Sequence, residues 1–259
     1  MESRGPDGGP GTADGRGVRS FAVARARRSR AAMLRRAAVA ACVAALALAA
    51  LAGVGAVMHR GPFARWRTAA AYDPSRWSLI VVNRWNAIPS GYPRPELTTL
   101  RNGQQVDSRI YPDLQRMFDA MRADGLDPEV TAGFRTNDVQ RRLMDEKIAE
   151  YRGEGMPEAA ARARAERLVA IPGTSEHEIG LAVDVNARGR AVDDNWAVYD
   201  WLAANAYRYG FVLRYPDGRT AVTGNQYEPW HYRYVGVDAA AAMRDGGWTL
   251  EEYAGREGA

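Results

Sequence analysis

The stretch Gly173-Thr174-Ser175-Glu176-His177-Glu178-Ile179-Gly180-Leu181-Ala182-Val183-Asp184-Val185 decides how this chain is read. Leu181 to Val185 is apolar and β-prone apart from Asp184, and Gly180 breaks the chain just before it. A histidine therefore precedes a turn, and an aspartate lies on the strand that follows. His177 and Asp184, seven apart, would also share one face of a helix. Gly180 and the residues after it argue for the turn, and spacing alone leaves both geometries open.

Outward from this stretch, strands and helices mix. Trp77 to Val82 and Trp85 are β-prone, punctuated by Pro89, Gly91, Pro93 and Pro95. Leu114, Met117, Phe118 and Met121 fall at i, i+3, i+4 and i+7, which predicts an amphipathic helix over 111–123, with Pro112 near its start and Gly125 past its end. Val130 to Phe134 reads as a strand. Asn137 with Gln140 resembles a capping pair opening a helix to about Tyr151. Pro157 to Ala170 reads as a further helix. Asp193-Asp194-Asn195 caps a helix to about Tyr207, ended by Gly210. Phe211 to Tyr215 and His231 to Val235 read as strands and Val237 to Arg244 as a helix. Thr249 with Glu252 caps a last short helix. There is no steady β-α-β rhythm, so the expected class is α+β, a small antiparallel sheet with flanking helices. Trp196, Trp201 and Trp230 are expected in the core or a pocket wall.

The charge is unevenly spread. The formal net charge is +4, but residues 1–36 hold nine Arg and three acids, and the remainder sums to −2. The basicity is a property of the tail, so no nucleic-acid partner is expected. A single cysteine, Cys42, excludes a disulfide framework and a Cys-based zinc site. Residues 1–36, poor in large apolar side chains, read as a disordered basic tail. Residues 37–57 carry no charge over 21 positions. As a helix that run is about 31 Å long, close to a bilayer's hydrocarbon thickness. Arg25, Arg27, Arg28, Arg30, Arg35 and Arg36 precede it, which places the N-terminus in the cytoplasm and the rest outside. The expected organisation is a tail over 1–36, a transmembrane helix over 37–58, a linker over 59–76 containing a solvated His59, and a folded domain over 77–255. A signal peptide cleaved near Ala50-Leu51-Ala52, lipidation at Cys42 and an Arg-pair export signal compete with the anchor.

Chemistry gathers at the other two histidines. Tyr227-Glu228-Pro229-Trp230-His231-Tyr232 is the second stretch. Two imidazoles and one carboxylate form the three-ligand pattern of a catalytic zinc site with an open fourth position. They leave the ion a net positive charge, enough to acidify a bound water and polarise a carbonyl. Glu228 is the candidate base. Three residues from His231, it would face the opposite side of a regular strand, so it belongs in the turn before the strand. Arg135, in Gly133-Phe134-Arg135-Thr136, ends a strand and suits bidentate capture of a carboxylate.

These residues resemble the VanY-type D-alanyl-D-alanine carboxypeptidases, zinc enzymes of the wider group that includes VanX dipeptidases, lysostaphin-type peptidases and hedgehog domains. Ser175-x-His177-x-x-Gly180-x-Ala182-x-Asp184 matches the group's first signature and Glu228-x-x-His231 its second. The likeness runs from about Trp77 to Tyr253, including Asn102 to Arg109 and Tyr227 to Gly236. The resemblance implies one zinc ion per chain on His177, Asp184 and His231, with Glu228 activating a zinc-bound water. It implies that Arg135 holds a substrate's terminal carboxylate, with Ser175 and Gln140 as further substrate contacts. Asp193 and Asp194 are expected as cap residues, and Glu176 and Glu178 as exposed flanks.

The expectation is thus a membrane-anchored carboxypeptidase with an extracytoplasmic catalytic domain, removing terminal D-Ala from peptidoglycan stem peptides. Two alternatives remain. One is an L,D-carboxypeptidase acting on tetrapeptide stems. The other is a non-catalytic zinc-containing wall-binding or sensor module, against which Glu228 stands, since pure binding needs no base beside the metal.

Overall fold

Along Ala182–Ala187 alternate side chains turn to opposite faces of a strand. Val183 and Val185 go to the core, while Ala182 and Asp184 look the other way. This alternation organises the sheet, seen in a computed structural model that describes residues 72–190 and 194–257. The described residues belong to one contact unit, Pro62–Ala259. The expected tail, apolar run and His59, the linker before Tyr72, and Asp193 lie outside the described residues. Among the described residues no helix is long and apolar enough to cross a membrane.

A hairpin of β1 (Leu97–Thr99) and β2 (Gln105–Asp107) precedes the first helix, α1 (Tyr111–Ala123). Then follow β3 (Pro128–Ala132), α2 (Asn137–Gly153), α3 (Glu158–Ala165), β4 (Ala182–Ala187) and α4 (Trp196–Asn205). The chain continues with β5 (Phe211–Leu213), a single turn α5 (Thr220–Thr223), β6 (His231–Tyr234), α6 (Val237–Gly246) and α7 (Leu250–Glu257). Strands β3 to β6 form one antiparallel sheet in the order β3-β4-β6-β5. The expected α+β class and antiparallel sheet are present.

The core face of the sheet carries Val130, Val183, Val185, Phe211, Tyr232 and Tyr234, packed with Leu114, Met117 and Met121 of α1 and with Val198 and Leu202 of α4. Each such buried side chain contributes roughly 1.5–3 kcal/mol. Helix α1 follows its sequence pattern residue for residue, and Gly125, at φ +83°, takes the left-handed turn beyond it. The opposite face carries Asp184, His231, Arg233 and Val212, and on it the site is built.

Several local readings are corrected. Trp77 to Val82 is not a strand: Pro74–Leu79 is a 3₁₀ turn, capped by Asp73, whose carboxylate accepts from the Ser75 amide. Proline in the first turn and the aspartate cap override the β-prone side chains that follow. Helix α2 is capped by Thr136, whose hydroxyl accepts from the Val139 amide, and Asn137 is its first residue. Gln140 is therefore no cap residue. Its side chain is buried. Helix α3 stops at Ala165, five residues short of the expected end. Trp196 is 56% exposed, neither core nor pocket wall. Asn195 precedes α4, but its side-chain oxygen accepts from the Ala187 amide instead of capping the helix.

Candidate metal centre and active site

His177 sits on a 3₁₀ turn, Glu176–Ile179, that ends at Gly180 with φ +73°. A Cβ at Gly180 would lie 3.1 Å from the Asp107 amide nitrogen, so both the backbone angle and the close approach require glycine. The turn swings the chain into β4, as the sequence suggested. On β4, Asp184 lies directly opposite His231 of β6 in the antiparallel register. Opposed residues share a face, so pairing alone brings carboxylate and imidazole together. Glu228 lies outside the strand, in the turn before it, where the His231 amide donates to the Glu228 carbonyl at 3.2 Å.

The three expected ligands converge. One donor atom from each of His177, Asp184 and His231 lies within 4.8 Å of the others. His177 Nε2 is 3.4 Å and His231 Nδ1 3.1 Å from Asp184 Oδ1. That oxygen is buried without a hydrogen-bond partner, a costly state unless something else meets it. The far edge of the His177 ring is held at Nδ1, 2.8 Å from the Gly133 carbonyl. Gly133 can offer that carbonyl because it has no side chain: a Cβ would lie 2.2 Å from the Gln105 carbonyl oxygen. Two imidazole nitrogens and a carboxylate oxygen, all turned inward, fit a divalent cation of zinc's preferences.

Glu228 is 5% exposed, and one of its oxygens stands 3.7 Å from His231 Nδ1. Burial pushes its carboxyl up to about 7, opposed by His231 and reinforced by Asp184. Burial would lower His231, but the carboxylates of Asp184, at 3.1 Å, and Glu176, at 3.6 Å, outweigh it and push the imidazole up to about 9. Burial, aided by Arg135, lowers His177 against the pull of Asp184. For Asp184, burial is outweighed by the two histidines, which hold it well below the usual carboxylate range.

Arg135, just beyond β3, donates from Nη2 to Asp184 Oδ2 at 3.2 Å and from Nη1 to Gln140 Oε1 at 3.4 Å. Gln140 in turn donates to the Ala170 carbonyl at 2.8 Å. Ser175 is 3% exposed. All seven expected site residues line one cleft of about 350 Å³, joined there by Tyr215, Asn225 and Trp230. The cleft thus combines a cation site, a buried carboxyl titrating near neutrality and a guanidinium, which together suit hydrolysis of a peptide bond beside a free carboxylate.

Glu176 corrects the sequence reading. It is not an exposed flank but 1% exposed, sharing one oxygen between Arg214 Nε at 2.7 Å and Arg233 Nη1 at 2.6 Å. Burial would raise it, yet the two guanidiniums hold it far below the usual carboxylate range. Arg214 is further paired with both oxygens of Glu251, at 3.0 and 2.6 Å. Glu178 is half-buried, its carboxylate accepting from the Gly173 amide and from Asn137 Nδ2. A signal for this cluster was present: Arg214, directly after β5, and Arg233, within β6, interrupt runs of apolar and aromatic residues, where a guanidinium needs a buried partner.

The family model described as VanY, D-alanyl-D-alanine carboxypeptidase, matches residues 103–237, just over half of the chain. A D-alanyl-D-alanine carboxypeptidase of Enterococcus faecalis (strain ATCC 700802 / V583) is 53% identical over 185 residues, spanning 71% of this chain and 68% of the relative. The solved structure of VanYB in complex with D-alanine-D-alanine is 53% identical, with a TM-score of 0.66 over 69% of this chain and 97% of that one. A mutant of the vancomycin-resistance D,D-pentapeptidase VanY in complex with Zn(II) has the same identity and TM-score, over 69% of this chain and 99% of that one. Motif, fold and overall likeness agree, and the chain belongs to the VanY family of D-alanyl-D-alanine carboxypeptidases.

Proposed function

We propose that the chain is a zinc D,D-carboxypeptidase that removes the terminal D-Ala from peptidoglycan stem peptides. The observation that carries this reading is the convergence of His177, Asp184 and His231 beside the buried carboxyl of Glu228. His177, Asp184 and His231 would hold the zinc ion, which would supply Lewis acidity for polarising a carbonyl and acidifying a water.

The chain's own residues do the rest. Glu228 takes a proton from the attacking water as its oxygen bonds to the carbonyl carbon before the last residue. As the C–N bond breaks, Glu228 hands that proton to the departing amine. Burial, which raises this carboxyl in the metal-free protein, favours its holding the proton until the amine departs. Arg135 exchanges its contact with Asp184 for the substrate's terminal carboxylate, and Gln140 steadies the guanidinium from behind. Ser175 contacts the substrate from the cleft wall. Capture of a free carboxylate makes the enzyme cut at a chain end.

Residues 37–57 act as a single-pass anchor that holds the catalytic domain outside the cytoplasm, where its substrate lies. The uncharged run and the arginines before it support this.

The test is mass spectrometry of muramyl pentapeptide and tetrapeptide before and after incubation with the zinc-loaded chain. Loss of one D-Ala from the pentapeptide, with the tetrapeptide intact, is expected. An intact pentapeptide in the presence of folded, zinc-loaded protein ends the D,D reading, and cleavage of the tetrapeptide moves the activity to the L,D class.

A further inference from the structure

We propose that Glu176 is a positioning residue for His231: its carboxylate holds the ring through Nε2–H, so that Nδ1 is left bare and aimed at the metal. The proposal rests on the reading of His177, Asp184 and His231 as a zinc site.

The geometry is specific. Glu176 Oε1 is fully engaged by Arg214 and Arg233. Its other oxygen, Oε2, has no hydrogen-bond partner, and neither does His231 Nε2. These two buried atoms face one another at 3.6 Å. A neutral imidazole carries one N–H, and placing it at Nε2 turns a donor toward the anionic Oε2 and frees Nδ1. His231 Nδ1 is the nitrogen that lies 3.1 Å from Asp184 Oδ1, on the metal side. His177 is arranged in the opposite sense, with Nδ1 held by the Gly133 carbonyl and Nε2 turned inward. The two ligands thus present different nitrogens, each chosen by what holds the other edge of the ring.

Glu176 cannot drift from this position. Arg214 is clamped between Glu176 and Glu251, and Glu251 also accepts from Asn83 Nδ2 at 3.0 Å. Arg233 donates to the carbonyls of Ser78, Ile80 and Tyr234. A purely structural cluster would need only the oxygen shared by the two arginines. The remaining oxygen, without a hydrogen-bond partner and 3.6 Å from a ring nitrogen of a metal ligand, is what marks a second role.

The experiment compares full-length wild type with Glu176→Gln. In the variant the amide oxygen stays with the arginines, and the NH₂ group meets His231 Nε2 donor to donor. The ring then moves its proton to Nδ1, and zinc affinity, read by chelator competition, falls about 10–100-fold while the metal-free fold stays intact by circular dichroism. The second readout is the ¹⁵N–¹H imidazole spectrum of the zinc-loaded wild type, which has only three histidines. It is expected to show His231 protonated at Nε2 and His177 at Nδ1. Wild-type zinc affinity in a folded Glu176→Gln protein, or a wild-type His231 protonated at Nδ1, overturns the proposal. If the variant fails to fold, the wild-type spectrum alone decides. Wild type that takes up no zinc overturns the metal reading itself, and the positioning role with it.

Discussion

The His231 ring stands between two polar clusters of opposite character. In front, toward the cleft, lie His177, Asp184 and Glu228, where Asp184 Oδ1 and Glu228 Oε1 are buried without hydrogen-bond partners. Behind lie Glu176, Arg214, Arg233 and Glu251, two cations and two anions at most 1% exposed, with nearly every charged atom paired. Folding tolerates both, for different reasons. The rear cluster meets its desolvation cost internally, through bidentate and shared hydrogen bonds. The front cluster leaves part of that cost unmet, and a cation and a substrate can recover it on binding. Burial of charge alone does not mark an active site. Buried charge left incompletely paired does.

The largest effect that tests this contrast is at Glu228. Glu228→Gln keeps the volume and removes the proton acceptor. The turnover rate is expected to fall about 10²–10⁴-fold, with zinc content unchanged. The metal-free variant should also be more stable than wild type at pH 8. The folded value, about 7, lies above the ordinary 4.5. The folded protein therefore retains a proton that the unfolded chain releases between those values, and stability falls as pH rises through that window. The glutamine escapes this loss, on the order of 1–3 kcal/mol by urea denaturation. A variant with wild-type turnover removes Glu228 from the chemistry, and one that is destabilised at pH 8 contradicts the account of the front cluster.

The rear cluster should behave in the opposite way. Glu251→Ala leaves Arg214 buried with half its partners, and is expected to destabilise the protein by about 3–5 kcal/mol, read as a lower urea midpoint. A loss below about 1 kcal/mol would mean that the cluster is wet, and the contrast between front and rear would fail.

The sequence made the front cluster legible and hid the rear one. His177, Asp184, Glu228 and His231 stood out because their side chains have few other uses in such spacing, and Gly180 announced the turn that joins two of them. Glu176 was misread because a charged residue beside a ligand is exposed far more often than buried. Its environment is set by Arg214 of the segment after β5 and Arg233 of β6, thirty-eight and fifty-seven residues away. The register that opposes Asp184 to His231 is likewise non-local, so no window of sequence contains it. The 3₁₀ turn at Pro74–Leu79 was missed for a different reason. β-propensity records how a side chain fits a sheet, and it yields where proline and a capping aspartate fix the backbone first.

Proton competition gives a smaller effect, centred on the ring that both clusters share. In the metal-free protein His231 is pushed up to about 9, above its ordinary 6.5. A raised histidine contributes stability that is full below 6.5 and is lost as pH climbs through 9. A metal must displace the same proton from Nδ1. Zinc affinity should therefore rise about tenfold per pH unit between roughly pH 7 and 9, while metal-free stability declines. Chelator competition at several pH values checks the first slope and thermal unfolding the second. A flat affinity profile would show that His231 is already neutral, and that the front cluster is better satisfied without metal than its geometry implies.

The smallest effect asks how firmly the rear cluster is anchored. The Thr249 hydroxyl accepts from the Glu252 amide at 3.3 Å, and the Glu252 carboxylate accepts from the Thr249 amide at 2.8 Å. This reciprocal cap, foreseen from sequence, opens α7 one turn around Glu251. Thr249→Ala removes one half of it and is expected to cost about 1 kcal/mol, seen as a drop of a few degrees in Tm. If the bidentate pair with Arg214 holds Glu251 by itself, zinc affinity will not change. A fall in zinc affinity alongside the small loss of stability would mean that the helix cap reaches the metal through Glu251, Arg214 and Glu176. The rear cluster would then be a lever on the front one as well as a support for the fold.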